Sequence, residues 1–277
     1  MPREVPDRIT RRRFLAAAGL GVAGLSGYGA LSNELEATRS AVPRWPADAR
    51  APLRLALATD MHGPHHLIDL AALVRTIAEF QPHVLCVVGD AVDNRGDEGL
   101  VSLYGAVQAP LGKFAVLGNW EYEGECDIPR LERAYAHAGV DLLINRRVTL
   151  DHAGEPIDIV GLDDILGGSP DLRLIDTLRP GDATAPRAIA LSHCPRGFDS
   201  LVPHAPRPIV TLAGHTHGGQ IAPLGVALVL PTGSGHYVKG WYVSRHGSHH
   251  LYVSRGLGNS GPPFRIGSRP EIALLTL

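Results

Sequence analysis

Three short apolar runs, each closed by an oxygen-bearing polar residue, recur at the length of one strand–helix unit. "LRLALAT" precedes Asp60, "HVLCVVG" precedes Asp90 and "KFAVLG" precedes Asn119. Their spacing of about 30 residues is that of a βα unit. The stretch "LIDLAALVRTIAEF" between the first two has helical spacing. A second helix is expected around residues 99–107, and a third in "IPRLERAYAHAG". Short apolar strands alternating with helices imply a parallel sheet. Asp60, Asp90 and Asn119 then fall at the carboxyl ends of neighbouring strands, the edge at which open α/β sheets bind ligands.

The later part of the chain changes character. "VTLD", "IDIVG", "AIALSH", "PIVTLAGH", "HYVKGWYV", "HHLYVSRG" and "EIALLTL" read as strands with fewer helices between them. Two of these runs end in His193 and His215. Two sheets packed face to face and flanked by helices accommodate both halves. With 277 residues, 44% of them hydrophobic, the chain can bury a core of that size.

The first residues read as a targeting segment. In "TRRRFLAAAGLGVAGLSGYGAL" three arginines, Arg11 to Arg13, precede Phe14, Leu15 and a Gly- and Ala-rich run. This pattern looks like a twin-arginine signal. Residues 1–36 are therefore expected to be a signal or membrane anchor and residues 37–51, with Pro43 and Pro46, a linker. The folded domain is expected at residues 52–277. The twin-arginine translocase is the partner this implies. The expected location is the periplasm, the cell wall or the outer face of the inner membrane. Membrane association would run through the N-terminal segment. A net charge of −2 and the lack of a basic stripe argue against a specific nucleic-acid partner. Cys86, Cys126 and Cys194 have neither disulfide parity nor metal-type spacing.

The polar residues that end apolar runs form one set: Asp60 and His62 in "TDMHG", Asp90 in "VGD", Asn119 in "GNW", His193 in "LSH", and His215 and His217 in "AGHTHGG". Each short motif alone is a common strand-end turn. Together they offer four imidazoles and two carboxylates, donors that suit Zn, Mn or Fe. One tetrahedral site needs only about four ligands. Seven suggest two divalent ions sharing a bridging carboxylate, roughly 3.5–4 Å apart.

In this order the motifs D-x-H, G-D, G-N, H and G-H-x-H resemble those of the calcineurin-like metallophosphoesterases. "GHTHGGQ" and "LYVSRGLGNSG" are most similar to the secreted bacterial branch of that family. The resemblance implies a four-layer α/β/β/α sandwich with two packed mixed sheets. It assigns Asp60, His62 and His217 to a first metal and Asn119, His193 and His215 to a second, with Asp90 bridging them. It implies a metal-bridging hydroxide as nucleophile on a phosphoester substrate, with phosphatase or phosphodiesterase chemistry, and no protein nucleophile. Purple acid phosphatases carry tyrosine three residues after the bridging aspartate. Here that position is Asp93, so a tyrosinate–iron(III) site is not expected.

The chain departs from the family at Trp120. Family members commonly have histidine there, which contacts the phosphate and protonates the leaving oxygen. Indole has no proton to give near neutral pH. Trp120 is expected to line the substrate pocket, and His65, His66 and Glu121 are the nearby candidates for the missing acid. Cys194 is read as a buried thiol, Asp163 and Asp164 as turn caps, and Arg196, Arg255 and Arg265 as surface arginines. Two other functions fit the same residues: a lipid-linked sugar nucleotide pyrophosphatase, and a metal-binding envelope protein with little catalysis.

Overall fold

The computed structural model describes residues 33–43, 51–178 and 188–277. The twin-arginine stretch and residues 44–50 lie outside the described residues. The strands are β1 (Glu36–Ala41), β2 (Arg54–Ala58), β3 (Val84–Val88), β4 (Gly112–Val116), β5 (Asp141–Leu142), β6 (Arg146–His152), β7 (Glu155–Gly161), β8 (Ala188–Leu191), β9 (Val210–Ala213), β10 (Gly240–Val243), β11 (His250–Val253) and β12 (Glu271–Thr276). The helices are α1 (Leu70–Phe80), α2 (Asn119–Glu123), α3 (Ile128–His137), α4 (Arg173–Asp176) and α5 (Gly197–Leu201). Residues 97–106 form 3-10 turns instead of the expected α-helix; Gly99 and Gly105 within them weaken an α-helix. Among the described residues no helix is long and apolar enough to cross a membrane.

The strands form two mixed six-stranded sheets, in the orders β1-β12-β2-β3-β4-β5 and β10-β11-β9-β8-β7-β6. β2, β3, β4 and β5 run parallel, as do β7, β8, β9 and β11. β12 enters the first sheet antiparallel to β2, and β10 closes the second antiparallel to β11. Alternation along each strand feeds two cores at once. From β2, Leu55 and Leu57 point between the sheets and meet Ile189, Leu191, Val210 and Leu212 of the other sheet. Ala56 and Ala58 point outward into a second core with Leu73, Ile77, Leu131 and Tyr135 of α1 and α3. On the far side Val160, Ala188 and Ala190 pack on Ile175 and Leu201 of α4 and α5. Helices therefore cover both outer faces, giving four layers.

The linker expected at residues 37–51 is partly corrected. Residues 36–41 are the edge strand β1, parallel to β12 from Glu36 opposite Glu271 to Ala41 opposite Thr276. Arg255 ties it down, donating to Glu36 (3.1 Å) and Thr38 (3.2 Å). Trp241 Nε1 donates to Ser40 Oγ at 2.7 Å. The strand borrows its hydrogen bonds from β12 and keeps one face in water, so it carries no apolar run for a sequence reading to find.

Candidate metal centre

Asp60 follows β2, Asp90 follows β3, Asn119 opens α2 just past β4, His193 follows β8 and His215 follows β9. Both sheets thus deliver their strand ends to one place. Five of the seven expected ligands have left-handed backbone: Asp60 (φ 52°), His62 (52°), Asp90 (51°), His215 (71°) and His217 (50°). That conformation is uncommon outside glycine and gathers at functional sites. The glycines of the G-D and G-N motifs make room: a Cβ on Gly89 or Gly118 would run into the His193 ring or the Asp90 carboxylate.

All seven residues converge, none more than 5% exposed. Asp60, His62 and His217 offer one ligand group, and Asp60, Asp90 and His193 another. His62 Nε2 and His217 Nε2 are 2.9 Å apart, and His217 Nε2 is 3.6 Å from Asp60 Oδ1. Asp90 Oδ2 lies 3.0 Å from His193 Nε2 and 3.8 Å from His62 Nε2, on the side of both groups. His215 Nδ1 lies 3.0 Å from Asn119 Oδ1. The Asn119 amide nitrogen donates to Glu123 Oε1 (3.0 Å), so its oxygen is the atom turned inward.

Hydrogen bonds from behind set which imidazole nitrogen faces in. His62 Nδ1 meets Asp93 Oδ1 (2.6 Å), His193 Nδ1 the Val88 carbonyl (2.9 Å) and His215 Nε2 the Thr232 carbonyl (2.7 Å). An acceptor there fixes the tautomer and frees the opposite nitrogen for a metal. His193 Nε2 is buried with no aligned hydrogen-bond partner. A buried nitrogen of this kind, beside inward carboxylates, fits a divalent cation.

The electrostatics point the same way. Burial opposes charge on His193, but Asp90 and Asp60 lift its pKa well above the ordinary value. Burial likewise opposes His62, which the Asp93 hydrogen bond and the charge of Asp90 raise. Asp90, despite its burial, is held down at about 2 by His193, His62 and the Trp120 N–H. Burial lowers His215 and carries His217 well below the usual range, helped by the charges of His193 and His62 respectively. The carboxylates thus draw protons onto two histidines, a demand that divalent cations meet more fully.

Three supporting residues escape a sequence reading. Asp93 orients His62. Glu121, a candidate for the missing acid, is buried and instead accepts the backbone N–H groups of Asp90 (3.0 Å), Ala91 (2.7 Å) and Gly118 (2.7 Å). It staples the Asp90 loop to the Asn119 corner. Arg265 is buried, not at the surface; it donates to the Arg255 carbonyl (2.8 Å) and lies 3.0 Å from His217 Nδ1. Arg255 is partly buried as well, paired with Glu271 at 3.2 Å. Asp164 caps a turn, accepting from Leu166 (2.8 Å) and Gly167 (2.9 Å), and Asp163 accepts from Ser169 (2.8 Å).

Trp120 stands at the rim. Its backbone N–H donates to Asp90 Oδ1 (2.9 Å), and its ring sits edge-on to His62 with centroids 5.7 Å apart. A cavity of about 410 Å³ opens there, lined by Trp120 together with Asp90, Asn119, His215 and His217.

Residues 53–219 match the calcineurin-like phosphoesterase family. The chain belongs to this family. It is 33% identical to the Bacillus subtilis metallophosphoesterase YkuE over 223 residues, covering 76% of this chain and 73% of that protein. It is 29% identical to the Escherichia coli phosphodiesterase YaeI over 288 residues, covering 97% and 99%. Among solved structures, the calcineurin-like phosphoesterase YfkN of B. subtilis aligns with a TM-score of 0.44 at 14% identity, over 78% of this chain and 88% of that one. This calcineurin-like phosphoesterase is a hydrolase of phosphoric esters that uses divalent metal ions, with candidate ligand groups in place.

The Asp93–His62 contact gives a test of the second layer in this phosphoesterase. Asp93→Ala is expected to weaken metal binding about 10- to 100-fold, the usual effect of losing an orienting partner. Asp93→Asn keeps an acceptor and should lose less. Competition against a chromophoric chelator measures both, and unchanged affinity in the alanine variant contradicts the assignment.

Proposed function

We propose that the chain is a dinuclear phosphoesterase, with Asp60, His62 and His217 holding one divalent ion, Asn119, His193 and His215 a second, and Asp90 shared. The observation that carries this reading is the position of Asp90 Oδ2, within 3.0 Å of His193 Nε2 and 3.8 Å of His62 Nε2. When bound, the ions supply charge to polarise the phosphoryl group and lower the pKa of a water toward about 7.

The chain's own groups position that chemistry. The carbonyls of Val88 and Thr232 and the Asp93 carboxylate hold three imidazoles in their ligating orientation. The Trp120 N–H fixes one Asp90 oxygen and leaves the other free. Burial and the nearby Asp164 push the Cys194 thiol far above the ordinary range, which disfavours it as a nucleophile. The paired arginines before Phe14 support action outside the inner membrane, in the cell envelope.

The test is metal analysis of the purified protein coupled to a panel of chromogenic phosphate mono- and diesters with Mn, Zn or Fe. Two ions per chain and chelator-sensitive hydrolysis are expected. Activity that survives exhaustive chelation contradicts the proposal.

A further inference from the structure

Between His217 and Lys239 the chain carries no Asp, Glu, Lys or Arg, and residues 221–231 read "IAPLGVALVLP". This segment begins beside the metal ligands and is firmly held. Ala222 N donates to the Ile266 carbonyl (2.7 Å), and Leu228 N to the Ile221 carbonyl (3.3 Å). The chain reverses through Leu224 and Gly225, both at positive φ. Held in this way, it still displays its aliphatic side chains to solvent. Leu224 is 100% exposed, Val226 65%, Leu228 63% and Val229 78%. Four large aliphatics exposed within six residues form the kind of patch that marks an interaction site.

The patch runs into the catalytic cavity. Beyond the ligands, that cavity is walled by Trp120, Ile221, Leu228, Val229, Pro231 and Pro262. Two polar residues of the same wall are already committed. Gln220 donates to the carbonyls of Ser260 (3.1 Å) and Pro262 (2.9 Å) and accepts from Ser260 N (3.0 Å). Thr216 Oγ1 donates to the Val238 carbonyl at 2.6 Å. Among the described residues no lysine or arginine lines the cavity. A sugar or nucleobase pressed on the apolar wall would leave polar edges unpaired, at a cost a hydrocarbon does not incur.

We propose that this wall receives the hydrocarbon chain of an amphiphilic phosphoester, and that residues 223–229 enter the lipid surface presenting it. The inference rests on the phosphoesterase reading above and names its substrate class.

The test is a series of p-nitrophenyl alkyl phosphates, methyl to octyl, kept below micelle-forming concentration with metal supplied. The leaving group is constant, so only the alkyl contact changes. A fully buried methylene is worth roughly fourfold in binding, and kcat/KM is expected to rise at least about tenfold from methyl to octyl. In Val229→Asp the octyl-to-methyl ratio, read within that protein, should fall toward one. Leu224, at the loop tip, is not a cavity residue. Leu224→Asp should keep the ratio for dissolved esters but lose at least about tenfold in rate on a long-chain phosphodiester carried in phosphatidylcholine vesicles. A flat ratio in the wild type, with the methyl ester hydrolysed, overturns this inference and leaves the phosphoesterase reading standing. No hydrolysis of any ester overturns both. A flat ratio with a dimer that Leu224→Asp dissociates in sedimentation assigns the patch to a second copy and overturns the proposal.

Discussion

Asp90→Asn is expected to cut kcat/KM for a chromogenic phosphodiester by at least about 100-fold, since losing even an orienting outer partner typically costs 10- to 100-fold. The substitution is isosteric. Its amide oxygen can still accept the Trp120 N–H, which lies 2.9 Å from Asp90 Oδ1. The other end then presents an NH₂ where Oδ2 now faces His193 and His62. An NH₂ group binds no cation, and in the dinuclear arrangement proposed above both ions lose their shared oxygen. Metal content should therefore fall together with activity. The loss of Asp90 also removes the carboxylate that does most to raise His193, so that histidine becomes less basic in the metal-free protein. Metal analysis per chain, steady-state kinetics and a circular dichroism spectrum together decide the outcome. A folded variant that keeps two ions, or full activity, contradicts the shared role of Asp90.

The positions of the candidate ligands are legible in the sequence because strand ends are. An apolar run that stops at Asp60, Asp90, Asn119, His193 or His215 marks where a buried strand leaves the core, and parallel strands leave at the same edge. The four layers follow from the same runs. Leu55 and Leu57 alternate with Ala56 and Ala58, so β2 needs a packed partner on both faces. What was not legible depends on contacts between distant loops. Glu121 reaches the backbone of residues 90 and 91 across about 30 positions, and Arg265 lies 48 residues from His217. Neither has a local pattern to distinguish it from a solvent-facing charge. Arg265 is buried because carbonyls of Gly258 and Arg255 converge on its guanidinium, which burial pulls down to about 10. The edge strand β1 escaped for the opposite reason. Its "EATRSA" is polar enough for a linker, and only the neighbouring β12 makes it a strand.

Trp120→His is expected to change how the rate depends on the leaving group. The wild-type indole N–H cannot protonate a departing oxygen near neutral pH. Negative charge then accumulates on that oxygen, so esters of acidic phenols should be cleaved far faster than alkyl esters. Glu121 does not stand in for the acid, since its carboxylate is spent on backbone N–H groups behind the site. His65 stays open to solvent, with a side chain 56% exposed and Nε2 3.9 Å from Asp93 Oδ2. An imidazole at position 120 would rise from the rim that Trp120 occupies, beside Asp90 and Asn119. General-acid help is worth about 10²- to 10⁴-fold, and the gain should appear mainly for poor leaving groups. Metal content should be unchanged, because the backbone N–H that holds Asp90 remains and Asn119 is untouched. The measurement is log kcat/KM against leaving-group pKa for both proteins at saturating metal. A flatter line for Trp120→His is the expected result. Parallel lines mean that the acid's place is elsewhere or already filled. Repeating the plot with His65→Ala and His66→Ala separates these outcomes: a line that steepens in one of them identifies the acid in use, and lines that stay parallel exclude both histidines from that role.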